Sequence, residues 1–270
     1  MSCHPEASRR ARNVAPFLAL DVLREANALE AAGKKIVHLE IGQPAAPAPE
    51  IVRRSAAAAL SDGARLGYTE TLGLAALRAR IAQYYGDTHN VDIGPGRVVI
   101  TTGSSGAFIL AFLACFDAGA RVGLAEPGYP AYRNILASID AEPVAIPVGP
   151  ETGWALTPDL VARAEAAHGA LAGLMVASPS NPTGTMLDAA ELSALANDCA
   201  DAGRWLISDE IYHGVTYGTP AATALGASAD ALIVNSFSKY YCMTGWRRKR
   251  RHGHRGRRSV SYTHLTLPTN

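Results

Sequence analysis

The chain has 270 residues, 48% hydrophobic and 18% charged, with a formal net charge of +1, a balance that excludes a disordered polymer and a collagen-like or coiled-coil fibre. Cys3, Cys115, Cys199 and Cys242 show no CxxC spacing and are too sparse to staple a chain of this length or form a structural zinc site, so a reducing compartment and a cytoplasmic protein are expected, with no metal. No apolar run approaches the roughly 18 residues of a bilayer span, and Pro16 interrupts the apolar stretch from Val14 to Leu20, so neither a membrane partner nor a signal peptide is expected.

Asp21 to Ala32 reads as an amphipathic helix on Val22, Ala26 and Leu29, stopped by Gly33, and Ile36 to Leu39 reads as a short strand. A Pro-rich loop, 43 to 49, leads to an Ala-rich helix near Glu50 to Ser61, a Gly-Tyr-Thr turn at 67 to 69, and a helix near Leu72 to Tyr85. Strands are then predicted at 97 to 102, 121 to 125, 143 to 147, 171 to 177, 204 to 208 and 231 to 235, with helical patterns between most of them. Thr157-Pro158 is an N-cap with Pro at the first helical position, and Asp188 with Glu191 has the spacing of a capping box. Such alternation implies an α/β fold, with a mostly parallel sheet flanked by helices.

In open α/β sheets ligands gather outside the carboxyl ends of the strands. Thr101-Thr102-Gly103-Ser104-Ser105-Gly106 follows the first of these strands and opens a very apolar helix, where free N–H groups and the helix dipole favour an anion. Later strand ends carry Asn181-Pro182-Thr183-Gly184, Asp209-Glu210-Ile211-Tyr212, Ser236-Phe237-Ser238-Lys239 and Thr244-Gly245-Trp246-Arg247. Singly, each could be a turn, a solvated loop or an exposed lysine. Their order, each at the end of a strand, is what those readings leave unexplained.

From about Val14 to Arg247 this ordered set resembles the class I/II aminotransferases of pyridoxal-phosphate (PLP) fold type I, most specifically in SFSK followed by MTGWR. The resemblance implies that Lys239 holds pyridoxal 5'-phosphate as a Schiff base and that Asp209 faces the pyridine nitrogen. Tyr212 and Asn181 would then partner the phenolic oxygen and Tyr129 would stack on the ring, while Ser104, Ser105, Ser236, Ser238 and Arg247 surround the phosphate. Tyr68 would reach the phosphate of a neighbouring subunit in a homodimer, and Gly42 would line the substrate carboxylate. The residue types suit that chemistry independently: a carboxylate keeps a pyridine nitrogen protonated, two donors face a phenolate, and an amine can form an imine and then move a proton.

The function implied is transfer of an amino group from an L-amino acid to a 2-oxo acid, with a β-eliminating lyase of the same fold or a non-catalytic PLP-binding fragment as alternatives. Ser236-Phe237-Ser238-Lys239 also satisfies S-x-x-K, but the S-D-N and K-T-G companions of penicillin-binding proteins are absent from the sequence. A transcription regulator of this fold would need a winged helix, and the stretch before Val14 is too short for one.

The resemblance divides the chain into an N-terminal arm with part of a small domain (1–45), a PLP-binding large domain (46–247) and a tail outside the family (248–270). Residues 1 to 247 hold eighteen basic and twenty-four acidic groups, whereas 248 to 270 hold seven Lys or Arg and no acid. A basic run of this kind suits a nucleic-acid arm. Its abrupt start after a matching motif instead reads as a shifted frame, with no nucleic-acid partner expected and Ser259 to Asn270 the most foreign part. On that reading the antiparallel strand between the strands ending at Thr102 and Ser236 is lost, the sheet gains two bare edges, and the chain is expected to be an inactive, aggregation-prone fragment.

Overall fold

The computed structural model describes residues 6–63, 67–246 and the strand at 262–266. Four helices come first, α1 (Arg9–Asn13), α2 (Leu18–Ala31), α3 (Glu50–Ser61) and α4 (Ala75–His89). The alternating part runs β1 (Val98–Thr102), α5 (Ser104–Cys115), β2 (Arg121–Glu126), α6 (Pro130–Ser138), β3 (Glu142–Pro147), α7 (Pro158–His168), β4 (Gly173–Ala177), α8 (Ala189–Asp201), β5 (Trp205–Asp209) and β6 (Leu232–Ser236). The last strand is β7 (Tyr262–Thr266).

The seven strands form one sheet in the order β1-β7-β6-β5-β4-β2-β3, parallel from β6 to β3, with β7 antiparallel to both its neighbours. Successive residues of a strand point to opposite faces, and here that alternation sorts the core into two layers. Leu174, Val176, Leu206 and Ile233 pack with Ile81 and Tyr85 of α4 and Leu192 and Leu195 of α8. Met175, Ile207, Leu232 and Val234 pack with Phe108 and Phe112 of α5 and Tyr132 and Leu136 of α6. The same rule carries past the apolar residues: Asp209 falls on the α5/α6 face with Ile207, and Glu210 on the α4/α8 face with Leu206.

The six predicted strands of the alternating region form within a residue or two of their expected positions. Thr157 caps α7 through its hydroxyl, and Asp188 with Glu191 closes a capping box on α8. The predicted strand Ile36 to Leu39 does not form: that stretch is irregular, with Val37 and Leu39 largely exposed. A strand needs a ladder partner, and none lies beside it among the described residues.

The expectation of a missing strand is also corrected. Tyr262–Thr266 occupies the slot between β1 and β6, pairing Val98 with Thr266 and Thr102 with Tyr262 on one side and Val234 with Leu265 on the other. Tyr262, Thr263 and Thr266 are residue types that favour pleated backbone, and two unpaired ladders reward any such segment that reaches them. Residues 247–261 and 267–270, which hold the basic run and Arg247, lie outside the described residues.

Every N–H of a strand paired on both sides points at a neighbour. Leu265→Pro removes one such donor and should leave a buried carbonyl unpaired, lowering stability by about 1–3 kcal/mol in urea denaturation. An unchanged midpoint would mean that another segment pairs with β1 and β6.

Candidate functional site

Because β4, β5 and β6 are parallel neighbours, Ala177, Asp209 and Ser236 end on one edge of the sheet, and the loops that follow converge there. β1 runs in the same direction two positions away. Thr101 and Ser236 are both register partners of Thr263, so the N-terminus of α5 lies across two strand spacings, about 10 Å, from the Ser236 turn.

Asp209 is 4% exposed. Its Oδ1 accepts from the Ile211 backbone N–H at 3.0 Å and its Oδ2 from the Tyr132 hydroxyl. Burial pushes the Asp209 carboxyl up to about 6, while the Tyr132 and Ile211 hydrogen bonds and the Lys239 ammonium oppose the rise. The result is a carboxylate in an apolar wall whose cost would fall beside a cation, such as a protonated ring nitrogen.

Tyr212, half-buried, shares a side-chain hydrogen bond with Asn181, so the turn after β5 is tied to the loop after β4. The Lys239 ammonium lies 5.7 Å from the Tyr212 ring centroid and donates to the Gly42 carbonyl at 2.9 Å. Gly42 thus reaches the site through its backbone oxygen. Tyr129 sits at the N-terminus of α6, edge-on to Phe17 at 5.9 Å and to Tyr132 at 5.3 Å. A cleft opens beside it, lined by Tyr129, Tyr132, Trp154, Leu156, Met175 and Asn181.

Ser104 and Ser105 are the first two residues of α5, and no side chain caps that helix N-terminus. Gly103 precedes them at φ 108°, a conformation glycine adopts at little cost. Across β7, Ser236 Oγ accepts from the Ser238 N–H at 2.8 Å, and Ser236 N–H donates to Asn235 Oδ1 at 2.7 Å, which folds the Ser236 to Lys239 segment into a tight polar turn. An anion between these two segments would meet uncapped helix N–H groups and hydroxyls. Tyr68 is fully exposed, and Arg247 lies outside the described residues.

Sequence reasoning missed Tyr132. The available signal was its place three residues after Tyr129 at a helix start, a spacing that puts both rings on one helix face. Its value as a partner of Asp209 needed the register of α6 against β5.

The raised Asp209 carboxyl makes a pH-dependent contribution to folding. Its folded value, about 6, lies above the ordinary 3.8, so the stability it contributes is complete below pH 3.8 and is lost as pH rises through about 6, roughly 3 kcal/mol in all. Asp209→Asn should therefore gain that amount relative to wild type between acid and neutral pH in urea melts, and Tyr132→Phe should shift the window upward. A wild-type minus Asp209→Asn difference that stays flat with pH would refute the assignment.

Residues 34–248 match the family model described as Aminotransferase class I and II. The chain is 50% identical over 236 residues to the valine–pyruvate aminotransferase of Mycobacterium tuberculosis, covering 87% of this chain and 60% of that protein. It is 33% identical over 243 residues to the (5-formylfuran-3-yl)methyl phosphate transaminase of Methanocaldococcus jannaschii, covering 89% and 62%. Among solved structures, an aminotransferase from Mycobacterium tuberculosis superposes with TM-score 0.88 at 46% identity, over 98% of this chain and 64% of that one. The aspartate aminotransferase of Thermus thermophilus with maleate gives TM-score 0.87 at 27% identity, over 98% and 65%. The chain spans about three fifths of the length of the curated relatives it matches. The family model spans most of the chain and the fold superposes on that of solved aminotransferases, so the chain belongs to the class I and II aminotransferases.

Proposed function

We propose that this chain carries the pyridoxal-phosphate site of an enzyme that transfers the amino group of an L-amino acid to a 2-oxo acid. The observation that carries the reading is the convergence of a lysine amine, a buried carboxylate and a Tyr–Asn pair on three adjacent strand ends, with an uncapped helix N-terminus two strands away. The donor set suits the cofactor: Asp209 faces the cationic ring nitrogen, Tyr212 and Asn181 donate to the phenolate oxygen, and Tyr129 offers a ring for stacking. Ser104, Ser105, Ser236 and Ser238 would hold the phosphate, and Arg247, which lies outside the described residues, is expected to join them by the family likeness. When bound, the cofactor serves as the electron sink that makes the substrate Cα proton removable.

Each residue then has a defined task. Lys239 would anchor the cofactor through its side-chain amine, and that amine, when free, would be the base able to take up and hold the substrate Cα proton. Asp209 keeps the ring nitrogen protonated, and Tyr132 keeps Asp209 ionised against its burial. The apolar cleft beside Tyr129, with Trp154 and Leu156 in its wall, suits an aliphatic side chain, in line with the valine–pyruvate activity named for the 50% identical relative. Gly42 lines the substrate carboxylate. Tyr68, fully exposed among the described residues, would act in the phosphate site of a second copy in a homodimer.

Incubation with pyridoxal phosphate, then borohydride and peptide mass spectrometry, should place the reduced cofactor on the peptide bearing Lys239 and on none in Lys239→Ala. With valine and pyruvate, wild type should form alanine, and Asp209→Ala should lose several powers of ten in rate, about 4 kcal/mol or more in barrier. A label elsewhere, or an Asp209→Ala rate equal to wild type, would sink the proposal.

A further inference from the structure

Directly behind Asp209, on the opposite face of the sheet, lies a second acid that the proposed reaction does not use. Glu210 is fully buried. Its Oε1 accepts from the Ala224 N–H at 2.9 Å, the Thr223 hydroxyl at 3.0 Å and the Ser208 hydroxyl at 3.3 Å. Its Oε2 lies 3.0 Å from the Thr223 hydroxyl and 3.5 Å from His213 Nδ1. His213 is itself buried, and its Nε2 lies 3.1 Å from the Ser178 carbonyl oxygen.

A carbonyl only accepts, so Nε2 is the nitrogen that carries hydrogen. His213 Nδ1 then faces Glu210 Oε2 at 3.5 Å and is a buried nitrogen without a hydrogen-bond partner among the described residues. Oε2, which also lies 3.0 Å from the Thr223 hydroxyl, and Nδ1 are both acceptors, and turned towards each other in a dry interior they repel unless one proton lies between them. Burial decides which group owns it: the Glu210 carboxyl is pushed up to about 8 and the His213 imidazole down to about 3. The groups packed around the pair agree. Asp209 disfavours a second negative charge next to it, while Tyr85 and the His89 ring, 5.2 Å from His213, come from α4. Asn235 of β6, Ser208 and Thr223 complete the surroundings, and none of these is a cation.

We propose that Glu210 and His213 are positioning residues for this site, a neutral pair in which the Glu210 acid donates to His213 Nδ1 and His213 Nε2–H holds the Ser178 carbonyl. The placement makes a closed circuit. Tyr212 bonds to Asn181 on the site side, the chain runs back from Asn181 to Ser178, and Ser178 is gripped by the residue next to Tyr212. The two loops that would present the phenolate donors are stapled at both ends. Because the staple is uncharged, Asp209 remains the negative charge at the end of β5. The positioning role rests on the cofactor reading above, whereas the protonation of the pair stands independently of it.

The test uses the whole chain labelled with ¹⁵N-histidine. His213, assigned by its disappearance in His213→Leu, should show a neutral ring with hydrogen on Nε2, unmoved between about pH 5.5 and 7, where an ordinary histidine titrates. A doubly protonated ring, or one that titrates in that range, overturns the pair. Glu210→Gln keeps a neutral donor towards Nδ1 and an acceptor for Ala224, so it should leave the His213 spectrum and pyridoxal-phosphate affinity within a few-fold of wild type. Glu210→Leu should weaken cofactor binding by about tenfold or more, since it removes the partner facing Nδ1 and leaves the Ala224 N–H and the Thr223 hydroxyl without their acceptor. Glu210→Gln as damaging as Glu210→Leu would overturn the neutral donor. Wild type that takes up no cofactor would remove the reading of the site and the positioning role with it, while the ring spectrum, recorded without cofactor, still decides the pair.

Discussion

Two carboxyl groups buried side by side at the end of β5 impose the tightest constraint on this molecule. Asp209 and Glu210 are 4% and 0% exposed, and pleat alternation sends them to opposite faces. Isolated, each charge would cost several kcal/mol to bury, a large part of a domain's net stability. The protein treats them differently. Asp209 receives one phenol and one backbone N–H on the α5/α6 face, whereas Glu210 receives three donors on the other face, lies 3.5 Å from a histidine nitrogen and has no exit to solvent. One stays ionisable at working pH and the other is held neutral, by environment alone.

The sheet makes this arrangement possible. Parallel neighbours β4, β5 and β6 bring their carboxyl ends to one edge, so residues far apart in sequence, Asn181, Asp209 and Lys239, meet without any long loop reaching in. β7 then sets the distance between that edge and the start of α5. A wider or missing spacer would change the separation of the serines of the Ser236 turn from those opening α5. The antiparallel strand therefore matters to the site through its width, whatever its side chains.

Packing around the rings supplies the remaining order. Phe17, Tyr129, Tyr132 and Phe108 form a run of edge-on contacts from the N-terminal segment to the core, with centroid separations between 5.1 and 5.9 Å. Edge-to-face packing resists rotation of each ring, so Tyr129 faces the cleft and the Tyr132 hydroxyl stays on Asp209. Arg10 binds Asp140 at 2.7 Å and Asn134 binds the Ala15 carbonyl at 3.0 Å, which keeps the N-terminal segment against α6 and Phe17 in place.

The sequence alone was sufficient for the α/β class, the six strands of the alternating region and the caps on α7 and α8, because period-two and period-3.6 patterns and cap residues act within a few positions of one another. It also pointed to Lys239, Asp209, Tyr212 and Asn181 as candidates, since each lies at a strand end or within four residues of one and strand ends in such sheets are where ligands gather. What it could not decide depended on partners distant along the chain. Ile36 to Leu39 has strand-like residues yet no ladder beside it, and Tyr262 to Thr266 looked foreign by composition yet fills two ladders at once. Tyr132 gained its role only when α6 was laid on β5, and Glu210, read as part of a motif with Asp209, was turned to the opposite face by one residue of pleat. Local pattern says which segments can form; only the assembled sheet says which face, which neighbour and which proton each side chain is left with.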